Sequence, residues 1–246
     1  MTQIAILGSA GSAPWAHKNL PSVFIDGTLF DCGEGVTRAL AELDLLDKVE
    51  RVFLTHMHMD HVSGLPTLLQ LYALSGIKDE VSIIVPLSCK DKLLTFLNSL
   101  HVAGKLKLNI YEIHADESLG SVKACKALHS TEALAYKIFA SNEKIVYTGD
   151  TAPCSEVLEL SRGCSVIIHE STLPPEKEEL VKVLGHSTPR DAGRVAEDAG
   201  AKTLVLFHLP YFYYRGPGFL EKFIKVAASE FTGNIVIPDE PQFLEL

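Results

Sequence analysis

Six consecutive residues, His56-Met57-His58-Met59-Asp60-His61, gather three imidazoles and one carboxylate where an apolar strand ends. Imidazole nitrogen and carboxylate oxygen are the donor types that zinc takes, and a catalytic zinc keeps one position open for water. On an extended segment His56 and His58 point the same way, whereas Asp60 and His61 follow a bend that turns them toward a second centre. The cluster therefore reads as part of a two-metal site. A plainer role for Asp60, capping a helix that starts at His61, accounts for that residue alone and not for three histidines.

Further groups share a position at or just beyond the end of an apolar run. His129 follows 122–128, Asp150 follows 145–148, His169 and Glu170 follow 166–168, and His208 follows 204–207. Strand ends bring side chains from distant parts of a chain to one place. A single histidine there is more often hydrogen-bonded structure than a ligand, so the weight rests on the set. Met57 and Met59 are expected to pack beneath the ligand loop.

Periodicity outlines the elements that must position these residues. Strands are expected at Gln3–Leu7, Ser22–Ile25, Thr28–Cys32, Glu50–Leu54, Val81–Val85 and Lys107–Ile113. In the second half they are expected at Val122–Leu128, Ala135–Phe139, Lys144–Tyr147, Val166–His169, Thr203–Phe207 and Ile235–Ile237. Helical spacing covers Glu34–Leu46, His61 to Tyr72, Lys90–Leu100, Glu156–Leu160, Pro189–Ala199 and Phe219–Ser229. Asp26-Gly27 between two β-rich runs is a hairpin signal. The small residues Gly8 to Ser12 fit either a close approach to phosphate or a plain turn, with no P-loop lysine following. Strands arriving both in hairpins and in βα units make the fold class α/β (α+β mixed), with mixed sheets covered by helices.

The 246 residues, 47% hydrophobic and 22% charged, show no linker, so a single domain over 1–246 is expected. A net charge of −9 opposes a broad electrostatic hold on nucleic acid. Lys105, Lys107, Lys123 and Lys126 would form a local basic patch only if their strands adjoin. Without a leader-like start or a bilayer-length apolar stretch, a cytoplasmic protein with no membrane partner is expected. Five cysteines with no C-x-x-C pair indicate neither a disulfide framework nor a thiolate zinc site.

His56-x-His58-x-Asp60-His61, His129, Asp150 and His208, preceded by Asp31-Cys32-Gly33, together resemble the metallo-β-lactamase superfamily over nearly the whole chain. The resemblance implies a four-layer αββα sandwich and two Zn2+ ions, with Mn2+ or Fe as alternatives. It implies a first ion held by His56, His58 and His129 and a second by Asp60, His61 and His208. Asp150 would bridge them, Asp31 would support the ligands from behind, and Asp60 would count among the catalytic residues. Within the superfamily, His169-Glu170-Ser171-Thr172 and Gly185-His186-Ser187-Thr188 are similar to the His-Glu-Ala-Thr and Gly-His-Ser-Thr motifs of the ribonuclease Z branch. By that analogy His186 protonates a leaving alkoxide and Glu170 orients it. Thr188-Pro189-Arg190-Asp191 independently marks a helix start, which leaves His186 in the loop just before it.

The implied activity is a dinuclear zinc-dependent phosphodiesterase using a metal-bridged hydroxide. Members of the branch that process transfer RNA carry a long substrate-binding arm between the residues matching His129 and Asp150. Only 20 residues separate those two here. The favoured substrate is accordingly a small or medium phosphodiester, with RNA and transfer-RNA 3′ processing as the less favoured alternative. A lactone, thioester or carboxylic ester would meet the same site. A non-heme iron redox protein and a binding module without catalysis are further readings, the first opposed by His58, where di-iron relatives usually have Glu. A homodimer is compatible with the chain. Tyr211 to Arg215, directly after His208, either line the substrate cleft or fold onto the core by their rings.

Overall fold

Residues 2–100, 106–141, 143–214 and 218–245 are described by a computed structural model of the chain. Lys105, Asn142 and Arg215 lie outside the described residues. The first strands are β1 (Ile4–Gly8), β2 (Ser22–Ile25), β3 (Thr28–Phe30), β4 (Arg51–Phe53), β5 (Glu80–Pro86) and β6 (Lys107–Ile113). They are followed by β7 (Ser118–Leu119), β8 (Val122–Lys126), β9 (Leu134–Ala140), β10 (Glu143–Tyr147), β11 (Val166–Glu170), β12 (Thr203–Phe207), β13 (Asn234–Val236) and β14 (Gln242–Phe243). The helices are α1 (Val36–Glu42), α2 (Met59–Val62), α3 (Leu65–Ser75), α4 (Lys90–Ser99), α5 (Ser155–Ser161), α6 (Val181–Leu184), α7 (Pro189–Ala199) and α8 (Phe219–Ala227). A 3-10 turn, Pro175–Leu180, precedes α6. The described chain folds as two compact units, Gln3–Ile113 with Asp239–Glu245, and His114–Pro238.

In the first unit the sheet order is β14-β1-β2-β3-β4-β5-β6. The hairpin between β2 and β3 turns at Asp26 (φ 40°) and Gly27 (φ 83°), as the Asp-Gly pair leads one to expect. From β3 onward the strands are parallel, Phe30 standing opposite Phe53. Parallel strands finish on the same side, so Asp31 after β3 and Thr55-His56 after β4 emerge next to each other. A buried core of Val36, Leu40, Leu54, Leu65, Leu69 and Tyr72 holds α1 and α3 against this sheet. Each fully buried aliphatic side chain of this kind contributes about 1.5–3 kcal/mol.

In the second unit the order is β13-β12-β11-β10-β9-β8-β7. Strands β7 to β10 form an antiparallel meander, and β10 to β13 are parallel. The strand β11 is buried at every residue, which is why Val166, Ile167 and Ile168 read as an apolar run in place of an alternation. Strands β8, β10, β11 and β12 all run in one direction. Their C-terminal ends deliver His129, Asp150, Glu170 and His208 to the same side. Thr188 caps α7 through a reciprocal box with Asp191, as the Thr-Pro-Arg-Asp run predicts.

The structure decides several readings that the sequence leaves open and corrects one, the packing of Met59. The Asp60 carboxylate does not cap a helix: the N-cap of α2 is His58, and Asp60 Oδ2 instead accepts the Ser12 amide at 2.9 Å. Met59 is 64% exposed, while Met57 packs on the core. Lys107 belongs to one sheet and Lys123 and Lys126 to the other, so their strands are not paired. The rings of Tyr211 and Tyr214 pack on Phe219, folding that loop onto α8, and Tyr213 remains exposed. No described helix is long and apolar enough to cross a membrane.

Candidate metal centre

In the first unit the ligand loop leaves β4 and enters α2, and its rings converge. His56 lies 4.6 Å from His58 and 4.1 Å from His61, centroid to centroid. Asp60 Oδ2 is 3.7 Å from His61 Nε2. Behind them Asp31, fully buried and held at φ 55°, places its carboxylate where three groups meet. Its Oδ2 is 2.7 Å from His61 Nδ1, while the Thr55 hydroxyl donates to Oδ2 at 2.8 Å and the Thr55 amide to Oδ1 at 2.7 Å. Thr55 Oγ1 in turn lies 2.9 Å from His56 Nδ1.

The second unit holds the other candidates. Asp150 Oδ1 is 3.3 Å from His208 Nε2, and Asp150 Oδ2 is 3.9 Å from His129 Nε2. His129 Nδ1 is 2.7 Å from the Gly185 carbonyl. Gly185 adopts φ 71°, and a Cβ there would lie 2.9 Å from His129 Cα, so close approach and a left-handed backbone both require glycine. His208, also at φ 55°, sets its Nδ1 2.7 Å from Thr172 Oγ1. Backbone held in this region costs on the order of 1–3 kcal/mol and persists where the surroundings over-determine it.

Glu170, fully buried at the end of β11, accepts four hydrogen bonds. These come from the Thr151 amide (2.9 Å), the Thr172 amide (3.1 Å), the Thr172 hydroxyl (2.6 Å) and His186 Nδ1 (2.8 Å). Burial pushes this carboxyl upward, but the attraction and hydrogen bond of His186 outweigh it and hold Glu170 below the usual carboxylate range. Burial also lowers His129, with Asp150 opposing. His169 turns its Nδ1 to the Glu170 carbonyl at 2.7 Å, a structural position.

Whether these residues fit divalent metal follows from which ring nitrogen carries the proton. A carboxylate or carbonyl oxygen can only accept, so His61 and His129 carry hydrogen on Nδ1. Each threonine hydroxyl gives its one proton to a carboxylate and can only accept from the imidazole, which puts the hydrogen of His56 and His208 on Nδ1 as well. In all four rings the lone pair then lies on Nε2, the form that ligates metal, with the outer partners that metal-binding histidines use. The donor set fits a divalent metal. Thr55, Thr172, Thr151 and the backbone of Ser12 and Gly185 were not singled out by sequence reasoning. The place of Thr55 directly before His56, of Thr172 and Gly185 within the quoted motifs and of Ser12 in the small-residue run signals four of them.

The Beta-lactamase superfamily domain matches residues 28–209. A Ribonuclease Z of Pyrococcus horikoshii is 30% identical over 297 aligned positions, covering 97% of this chain and 94% of that protein. The chain belongs to the β-lactamase superfamily, in its ribonuclease Z-like branch. A Ribonuclease Z of Methanothermobacter thermautotrophicus is 28% identical, over 90% of this chain and 91% of the relative. Among solved structures, the metallo-β-lactamase fold protein YhfI from Bacillus subtilis has a TM-score of 0.85 at 22% identity, covering 99% of this chain and 98% of that one. The short form of human tRNase Z has a TM-score of 0.77 at 23% identity, covering 100% and 99%. The mixed α/β architecture is thus the metallo-β-lactamase fold. By this membership the chain is a metal-dependent hydrolase of phosphodiesterase type. The Pyrococcus alignment is longer than this chain's 246 residues, so that relative carries insertions absent here.

Proposed function

We propose that His56, His58, Asp60, His61, His129, Asp150 and His208 hold two zinc ions and that the chain hydrolyses a small or medium phosphodiester. In this reading His56, His58 and His129 serve one ion, Asp60, His61 and His208 the other, and Asp150 both. Bound there, the ions would polarise the phosphoryl group and supply an activated water at neutral pH. The observation that carries the reading is that Nδ1 of His56, His61, His129 and His208 each lies 2.7–2.9 Å from a protein oxygen, so that Nε2 is the ring nitrogen each would offer a metal.

The chain's own contribution to bond cleavage is a proton. Glu170 Oε1 holds His186 Nδ1, so the far nitrogen, Nε2, is the one that faces substrate and can give its proton to the departing oxygen. Buried and below its usual range, Glu170 stays anionic and favours the imidazolium that does this. The Ser12 amide on Asp60 fixes that carboxylate from the loop after β1, the structural use of the small-residue run.

The test is zinc analysis of the purified chain together with hydrolysis of bis(p-nitrophenyl) phosphate, a cyclic nucleotide, a carboxylic ester, a thioester, a lactone and a precursor transfer RNA. Phosphodiester turnover abolished by Asp60→Ala or Asp150→Ala, with the fold kept, supports the reading. Turnover retained in either variant, or confined to the carboxylic esters, rejects it. The absence of the insertions that the Pyrococcus relative carries favours the smaller phosphodiesters over the RNA.

A further inference from the structure

We propose that Thr172 is a positioning residue whose single hydroxyl fixes both the metal-ligating nitrogen of His208 and the carboxylate that orients His186. The inference rests on the reading of His208 as a ligand. Thr172 Oγ1 lies 2.6 Å from Glu170 Oε2 and 2.7 Å from His208 Nδ1. A hydroxyl has one proton and two lone pairs. With that proton directed to an anionic, fully buried carboxylate, the oxygen meets His208 as acceptor only, and His208 must carry its own hydrogen on Nδ1.

The same arrangement occurs a second time in this chain, reached by a different route. In the first unit the order is His61, Asp31, Thr55, His56, with contacts of 2.7, 2.8 and 2.9 Å. In the second it is His186, Glu170, Thr172, His208, with contacts of 2.8, 2.6 and 2.7 Å. The carboxylate is Asp in one case and Glu in the other. The threonine comes from just beyond the neighbouring strand in one and from two residues downstream in the other. Local sequence therefore does not impose the arrangement. What the two share is an imidazole, a buried carboxylate, a hydroxyl and a second imidazole, in that order. In the first unit both terminal imidazoles are candidate ligands. In the second, one is a ligand and the other the proton donor, so Thr172 joins metal site and acid through one oxygen.

The experiment compares the full chain with Thr172→Val, Thr172→Ser and His208→Ala. Zn2+ affinity is read by competition with a chromophoric chelator, fold by circular dichroism, and imidazole tautomers by 15N resonances of the metal-free protein. Thr172→Val, isosteric but without a hydroxyl, is expected to weaken zinc binding about 10- to 100-fold and to release His208 into mixed tautomers. Thr172→Ser is expected to restore both. Unchanged zinc affinity in a folded Thr172→Val, beside a weakened His208→Ala, overturns the inference alone, as does a serine variant as weak as valine. Unchanged affinity in His208→Ala overturns the ligand reading beneath it. Should the valine variant fail to fold, the unmodified chain still decides: His208 protonated on Nε2 in the metal-free state overturns the proposal, and protonated on Nδ1 supports it.

Discussion

His186 Nδ1 and the Thr151 amide converge on one oxygen, Oε1 of Glu170, at 2.8 and 2.9 Å. The residue after Asp150 thus helps to fix the acid arm. If Glu170 orients His186, then His186→Gln and Glu170→Gln should each lower kcat about 10²- to 10⁴-fold while zinc content is kept. The double variant should be little worse than either single one, because the two act as a unit. Substrates with nitrophenolate leaving groups should lose less than alkyl phosphodiesters, since they need less proton donation. Additive losses in a steady-state cycle would argue for separate roles.

Asp31→Ala removes the acceptor of both the His61 ring and the Thr55 hydroxyl and leaves the Thr55 amide buried without its partner. Zinc affinity should fall about 10- to 100-fold through loss of the ring orientation. Stability should fall by about 1–3 kcal/mol through the unsatisfied amide. Chelator competition and urea denaturation of the metal-free chain read the two effects separately.

At Gly33 a Cβ would stand 2.4 Å from Leu20 Cβ and 2.5 Å from the Asp60 carbonyl oxygen, and at Gly64 1.9 Å from the Gly33 oxygen. Gly33→Ala and Gly64→Ala should each destabilise by about 1–3 kcal/mol or more, because backbone must shift. They should also displace the Asp60 loop and weaken zinc binding. Gly76→Ala, where nothing lies within 4 Å and only the left-handed φ of 68° resists, should leave zinc binding unchanged. Thermal melts with and without zinc make the comparison.

Burial raises Glu240 to about 7, against the lowering influence of Ser9, Lys18 and the Asn19 amide, whose N–H lies 2.8 Å from Glu240 Oε1. A carboxyl raised in the folded state binds more protons there than in the unfolded chain. Stability from this group is therefore complete below the ordinary glutamate range and declines as pH climbs to about 7. Glu240→Gln should remove that decline. Urea midpoints for both chains between mild acid and neutrality would show it, and parallel profiles would refute it.

The positions of His129, Asp150, Glu170 and His208 were legible because each closes an apolar strand, and parallel strands must end together. The Asp-Gly hairpin and the Thr188 cap were legible because each depends on neighbours in sequence. Thr55 and Thr172 were not, since a hydroxyl looks the same whether it meets water or a carboxylate brought by another strand. The two-residue strand β14 owes its existence to pairing with Ala5 and Ile6, more than two hundred residues away, and leaves no local trace. The hold of the Ser12 amide on Asp60 left no local trace either, since the two lie 48 residues apart.

The partners that hold His56, His61, His129 and His208 are protein atoms throughout: two hydroxyls, a carboxylate and a backbone carbonyl. The rotational freedom of these rings is consequently lost when the chain folds and not when an ion arrives. Small zinc domains order around their metal and unravel without it. This chain should keep its native near-ultraviolet dichroism after chelation and take up zinc again without a slow conformational phase.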